Sequence, residues 1–211
     1  AVRTVFVLTI LVLVLAAPSA RAIEFESFGV KAGGAITSTQ FTFEGTDELD
    51  NDTRMALVAG VSTMWQLQRR SAFRIVVEGL YVRKGYEGER SLVDIDPEPV
   101  DVNVAASYFS LPVLGRVLFV EDDLSVYAVF GPSLEFLLDN DDDVLLDEFS
   151  SWSLALNVGI GLEYELGDRA QAQFELRFNR DVTDNFEGDD ELFRIDEVVH
   201  QALQITGGLR F

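Results

Sequence analysis

Apolar and polar residues alternate through the C-terminal part of the chain. One parity holds Trp152, Leu154, Leu156, Val158, Ile160, Leu162, Tyr164 and Leu166, and the other holds Ser151, Ser153, Ala155, Asn157, Gly159, Gly161, Glu163 and Glu165. Successive side chains of a β-strand point to opposite faces, so the pattern predicts a single strand with one greasy face and one small or polar face. At about sixteen residues it is much longer than the five or six usual in soluble sheets. It suits a tilted strand that crosses hydrocarbon with roughly nine to eleven residues and continues beyond it.

The same period recurs along the chain. Strands are predicted over Phe28–Thr37, Met55–Leu67, Phe73–Arg83, Tyr108–Phe119, Leu124–Leu137, Ser151–Leu166, Ala170–Asn179 and Val198–Phe211, each bounded by Gly, Asp, Asn or Ser. Long connections follow the first, third, fifth and seventh strands, and short turns, Gln68–Ala72, Val120–Asp123 and Gly167–Arg169, follow the others. Bacterial outer-membrane barrels combine an even strand number with short periplasmic turns and long external loops. The expected fold is therefore all-β, an eight-stranded antiparallel up-and-down transmembrane β-barrel. A single sheet or sandwich would also alternate. Against it, Trp152 and Tyr164 lie twelve residues apart on the apolar parity. That is about 30 Å along the normal of a tilted strand, the spacing of two aromatic girdles.

The parity opposite the apolar one carries Lys31, Arg74, Glu78, Arg116, Glu135, Glu163, Glu175, Arg177 and Arg210. Mixed signs fit a narrow enclosed lumen, because an unpaired buried ion is costly whereas pairs roughly balance their desolvation. These nine residues are the expected lumen charge network.

Residues 1–22 read as a cleaved signal peptide, with Arg3 before the apolar run Val5–Ala17, Pro18 after it, and Ala20-Arg21-Ala22 as the cleavage pattern. The thirteen-residue run is short for a transmembrane helix, which requires about twenty. Residues 23–211 are then one outer-membrane barrel domain. The chain has no Cys, which excludes a disulfide framework and thiolate metal sites. Its formal charge of −20 is concentrated in segments 38–54, 84–107, 138–150 and 180–198, which hold 25 of the 36 acids against five of the 16 bases. These segments read as long, acidic external loops, and a basic nucleic-acid footprint is missing.

Two features raise the question of chemistry. Asp139, Asp141, Asp142 and Asp143 have the early spacing of a calcium loop, but Val144 stands where that loop needs Gly and Ser150 where it needs a bidentate Glu. They are weak metal candidates, and no confident metal or cofactor site is expected. The single His, His200, is placed near the loop end of the last strand on the inward parity, with no Ser at its neighbouring same-face position. Acid–base catalysis needs an orienting partner, so no catalytic residue is expected.

Short segments, in order, carry a resemblance: Gly29-Val30-Lys31-Ala32-Gly33, Val77 through Gly85, Tyr108-Phe109-Ser110-Leu111-Pro112, Tyr127 through Ser133, Gly159 through Glu163, Phe174 through Phe178, and Gly207-Gly208-Leu209-Arg210-Phe211. Together they resemble the PorT-like outer-membrane barrel family, small eight-stranded barrels of Bacteroidetes-type bacteria. The resemblance implies an outer-membrane location more than an activity, since most members have no assigned function and one branch is tied to secretion and gliding. Phe211, ending an alternating strand, looks like the C-terminal signal read by the barrel-assembly machinery of Gram-negative bacteria.

The functional expectation is a non-enzymatic structural, adhesive or envelope-interaction role carried by the external loops. Its expected partners are outer-membrane lipid and lipopolysaccharide, the assembly machinery during biogenesis, and divalent cations at the loops. The alternative is a soluble, exported lipocalin-like barrel that binds a small apolar ligand, which would require an apolar lumen. A pore is disfavoured, because side chains just fill an eight-stranded interior.

Overall fold

The computed structural model describes residues 23–43, 46–50, 53–66, 72–90, 100–120, 124–140, 151–167, 169–183 and 195–211. Its strands are β1 (Glu24–Phe43), β2 (Thr46–Asp50), β3 (Arg54–Gln66), β4 (Phe73–Arg90), β5 (Val100–Val120), β6 (Leu124–Asn140), β7 (Trp152–Glu165), β8 (Gln171–Asp181) and β9 (Ile195–Arg210). β1 pairs antiparallel with both β2 and β3, each strand from β3 to β8 pairs antiparallel with the next, and β9 pairs back with β1, so the sheet closes. β2 pairs with Gln40–Phe43 of β1 just beyond the point where β3 stops, which makes β2 and β3 two pieces of one stave. The result is a closed eight-stranded antiparallel barrel.

The pairing fixes the tilt. Phe25 is opposite Trp65, and the row continues through Ile75, Gly115, Phe130, Val158, Phe178 and Leu203 to Ile36. One turn around the wall re-enters β1 eleven positions above its start, one of them absorbed by the irregularity between Phe25 and Ser27. A climb of ten residues at about 3.3 Å over eight spacings of about 4.8 Å corresponds to a strand tilt of about 40°. Each residue then rises about 2.5 Å along the barrel axis.

Parity divides the wall as a membrane requires. Leu156, Val158, Ile160 and Leu162 of β7 are exposed, and Asn157, Gly159, Gly161 and Glu163 between them are buried. At the end with the short turns, Phe25, Trp65, Phe73, Phe119, Tyr164 and Phe211 all stand on the outward parity at nearly one height. Phe25 and Trp65 pack edge to face at 5.4 Å. Toward the other end, Tyr81, Phe109, Phe136 and Trp152 are direct cross-strand neighbours. The band between these aromatic groups is about 25 Å tall, the hydrocarbon dimension of an outer-membrane barrel.

Two glycines have specific structural duties. Gly167 adopts φ 122° in the turn closed by Leu166 N–H donating to the Ala170 carbonyl, 2.8 Å away. Gly161 faces inward opposite Tyr127, and a Cβ there would lie 2.2 Å from the Tyr127 ring. That space lets Tyr127 lie across the lumen. At the seam, the Phe28 and Phe211 backbones exchange hydrogen bonds of 2.8 and 3.0 Å, so the C-terminal residue completes the β1–β9 closure.

The strands outrun the sequence-based expectation. β1 extends past Thr37 to Phe43, β4 past Arg83 to Arg90, β6 past Leu137 to Asn140 and β8 past Asn179 to Asp181; β5 begins at Val100 and β9 at Ile195. Segments 38–54, 84–107 and 180–198 are therefore partly ladder and not wholly loop. Hydropathy alternation ends where the wall leaves hydrocarbon, whereas the backbone ladder requires no apolar face and continues. Residues 1–22 lie outside the described residues, as do Asp141, Asp142 and Asp143.

Candidate functional site: the charged lumen

The inward parity places three groups of charge at successive heights. In the middle group, Lys31 of β1, Glu78 of β4 and Glu175 and Arg177 of β8 converge from facing walls. Lys31 Nζ donates to Glu78 at 2.6 Å and to Glu175 at 3.3 Å. Arg177 forks onto both Glu78 oxygens at 2.6 and 3.1 Å and also bonds Glu175. Bidentate pairing of this kind adds orientation to charge neutralisation.

The group near the short turns is built on Arg116 and Arg210, which share Glu163 at 2.5 and 2.6 Å. The Arg116 guanidinium lies over the Tyr127 ring at 3.7 Å, and the Tyr127 hydroxyl donates to Glu175 at 3.2 Å. Tyr127 thus joins this group to the middle one. Arg74 completes it by donating to Glu26 at the mouth, 3.1 Å away.

The group toward the long connections centres on Lys84 of β4, which meets Glu135 at 2.5 Å and Asp181 at 3.1 Å. Asn179 donates to Glu135 and to Asn157 at 3.2 and 3.1 Å, and Asn157 donates to Ser133 at 2.9 Å. His200 is buried and its ring lies 6.3 Å from that of Tyr108. On the β1, β3, β4 and β9 side, Ala35, Val58, Leu80, Val82 and Ala202 pack as an apolar patch beside this group.

All nine residues of the charge set read from the sequence lie on the inward face, and each has an ion-pair partner. Sequence reading missed Lys84 and Asp181, which it assigned to loops; both are buried strand residues whose side chains pair across the barrel. The signal was present, since Lys84 continues the parity of Glu78, Leu80 and Val82, and Asp181 that of Arg177 and Asn179. Asp139 is exposed at the end of β6. Among the described residues no group of His, Cys, Asp or Glu is arranged to hold a metal ion.

The ion pairs leave little free space. Between the middle group and the group near the short turns, an enclosed space lined by Lys31, Glu78, Arg116, Glu175 and Arg210 measures about 10 Å³. That is at the lower limit for a single water molecule. In the pairs described above, six cations meet six carboxylates, so those charges balance, and the larger space, about 520 Å³ lined by Glu26, Ser27, Met64, Gln171 and Arg210, lies at the short-turn mouth.

Comparison with known proteins gives one family and a common fold. The family model described as an outer membrane protein beta-barrel domain matches residues 7–211. Neisserial surface protein A superposes with a TM-score of 0.51 at 16% identity, covering 89% of this chain and 97% of that one. The outer membrane protein OprG from Pseudomonas aeruginosa gives 0.49 at 13% identity, over 88% of this chain and 95% of its own. The outer membrane enzyme PagL gives 0.45 at 11% identity, over 82% and 97%. No functionally curated protein matches the chain.

Proposed function

Since the chain belongs to the outer membrane protein beta-barrel domain family, and is an eight-stranded barrel of the bacterial outer membrane, we propose that its barrel is an inert scaffold for its long external connections. Their role is non-enzymatic: structural, adhesive or directed at envelope partners. The observation that carries this reading is the blocked middle of the lumen, where paired charges and packed side chains occupy the space that a path through the barrel would need. What varies on a rigid scaffold is its loops, and binding residues concentrate there.

The same observation counts against a lipocalin-like carrier, which needs an apolar interior; here the apolar face is the outer one. The buried, inward setting of His200 counts against its acting as a catalyst on the outer face of the barrel. Within the family we favour a PorT-like branch, on the ordered segments from Gly29-Val30-Lys31-Ala32-Gly33 to the C-terminal Gly207-Gly208-Leu209-Arg210-Phe211. Export by cleavage after Ala22, recognition of Phe211 by the assembly machinery, contact with lipopolysaccharide and loose binding of divalent cations around Asp139, Asp141, Asp142 and Asp143 belong to the same proposal.

Loop replacement tests the reading. Exchanging residues 141–150 for a short Gly-Ser turn should leave outer-membrane fractionation and the heat-modifiable gel shift intact while abolishing cell-surface or matrix attachment. If attachment is unchanged when each long connection is exchanged in turn, the scaffold reading fails.

A further inference from the structure

The lipid-facing wall carries a groove of about 960 Å³ across β5 to β8, and we propose that it holds one acyl chain of lipid A while Arg180 binds a phosphate of the headgroup. The proposal rests on the outer-membrane placement and not on what the loops do.

The groove is a real depression in the wall. Leu154 is 8% exposed where its strand neighbours Leu156 and Val158 are 53% and 58% exposed. Pro132, in register with Leu156, contributes only a short ring to the floor. The exposed aromatics Phe136 and Trp152 form a ridge above, and Phe130 and Phe178 form one below.

Arg180 lines the upper part of this groove, one row below Val182 and Leu154. It stands on the outward parity of β8 between the inward Asn179 and Asp181, opposite Leu156. No other charged side chain lines the groove, and among the described residues Arg180 has no ion-pair partner. Its neighbours in register, Gln201 and Ser38, are joined by a 3.0 Å hydrogen bond, so this polar row marks the edge of hydrocarbon on β8, β9 and β1.

Direction and depth fit one acyl chain. At a strand tilt of about 40°, a register row descends about 3 Å for each strand from β8 back toward β5. The groove therefore drops from Arg180 past Leu156 and Pro132 to Gly115, about 15 Å deeper in the bilayer. A guanidinium at the hydrocarbon boundary is costly to leave unpaired, and its fork matches a phosphate in two hydrogen bonds. Because β8 rises from a short turn to a long connection, Arg180 faces the outer leaflet, where lipid A supplies both phosphate and saturated chains.

The test is competitive lipid retention. Folded wild-type protein and the variants Arg180→Gln, Arg180→Lys and Leu156→Trp, each first shown to keep the heat-modifiable shift, are equilibrated in micelles containing equal lipid A, phosphatidylglycerol and phosphatidylethanolamine. Retained lipid is read by native mass spectrometry. Wild type should hold one lipid A, Arg180→Gln should lose it by roughly tenfold or more, Arg180→Lys should keep part, and Leu156→Trp should fill the groove and expel it. Equal retention of phosphatidylglycerol, or lipid A retention unchanged in Arg180→Gln, overturns the proposal. Should Leu156→Trp fail to fold, the two Arg180 variants decide alone. Deleting residues 141–150 should leave retention untouched, which separates failure here from failure of the loop reading.

Discussion

Glu78 holds two cations at once, Lys31 at 2.6 Å and Arg177 through both oxygens, in a fully enclosed setting. Replacing it with Ala leaves two buried positive charges competing for Glu175, and breaking a buried network in this way typically costs about 3–5 kcal/mol. Glu26 pairs with Arg74 but its side chain is 30% exposed at the mouth. Glu26→Ala should cost no more than about 1 kcal/mol, because water screens and replaces the partner. Urea titration of vesicle-refolded protein should separate the two variants; equal losses would mean that the lumen pairs are solvated and do not hold the barrel together. At this scale, parity alone was enough to read Glu78, Glu175 and Arg177 as lumen residues. It could not show who pairs with whom, because Lys31 and Glu175 are 144 positions apart and meet only when the β1–β9 pairing closes the wall and brings β8 within two strands of β1.

The strands were legible wherever one face meets hydrocarbon. β7 was read within a residue of its observed ends because alternation persists over its length. The predicted strand ends at Arg83, seven residues before β4 ends at Arg90, because past the membrane edge hydropathy no longer records which face a side chain occupies. That truncation hid Lys84, and the parallel truncation of β8 hid Asp181. Membrane contact also makes a prediction that depends on height along one face. Val158 lies near the middle of the apolar band and Leu124 near its short-turn edge, both outward and well exposed. Val158→Arg should destabilise the folded barrel in bilayers by about 2–4 kcal/mol, and Leu124→Arg by no more than about 1 kcal/mol. Equal effects in a lipid-refolding titration would contradict the placement of the band.

At the scale of the whole molecule, closure and charge divide the protein into parts with different duties. The seam between β1 and β9 leaves no free edge, so the wall is a complete hydrogen-bonded cylinder, as a bilayer demands of any strand that crosses it. The formal charge of −20 resides in the segments around the long connections, whereas the lumen pairs cancel among themselves. Eight strands at a tilt of about 40° enclose a space that side chains can fill, and here Tyr127, Lys84 and Arg116 are among the largest buried groups that fill it. The fold was readable from strand count and alternation; the plug was not, because it depends on which side chains share a height. Single-channel recording of the purified protein in planar bilayers tests that plug most directly. A barrel closed by these ion pairs should give no steady conductance above that of the bare bilayer, and large, stable, voltage-independent openings from the folded, heat-modifiable protein would contradict it.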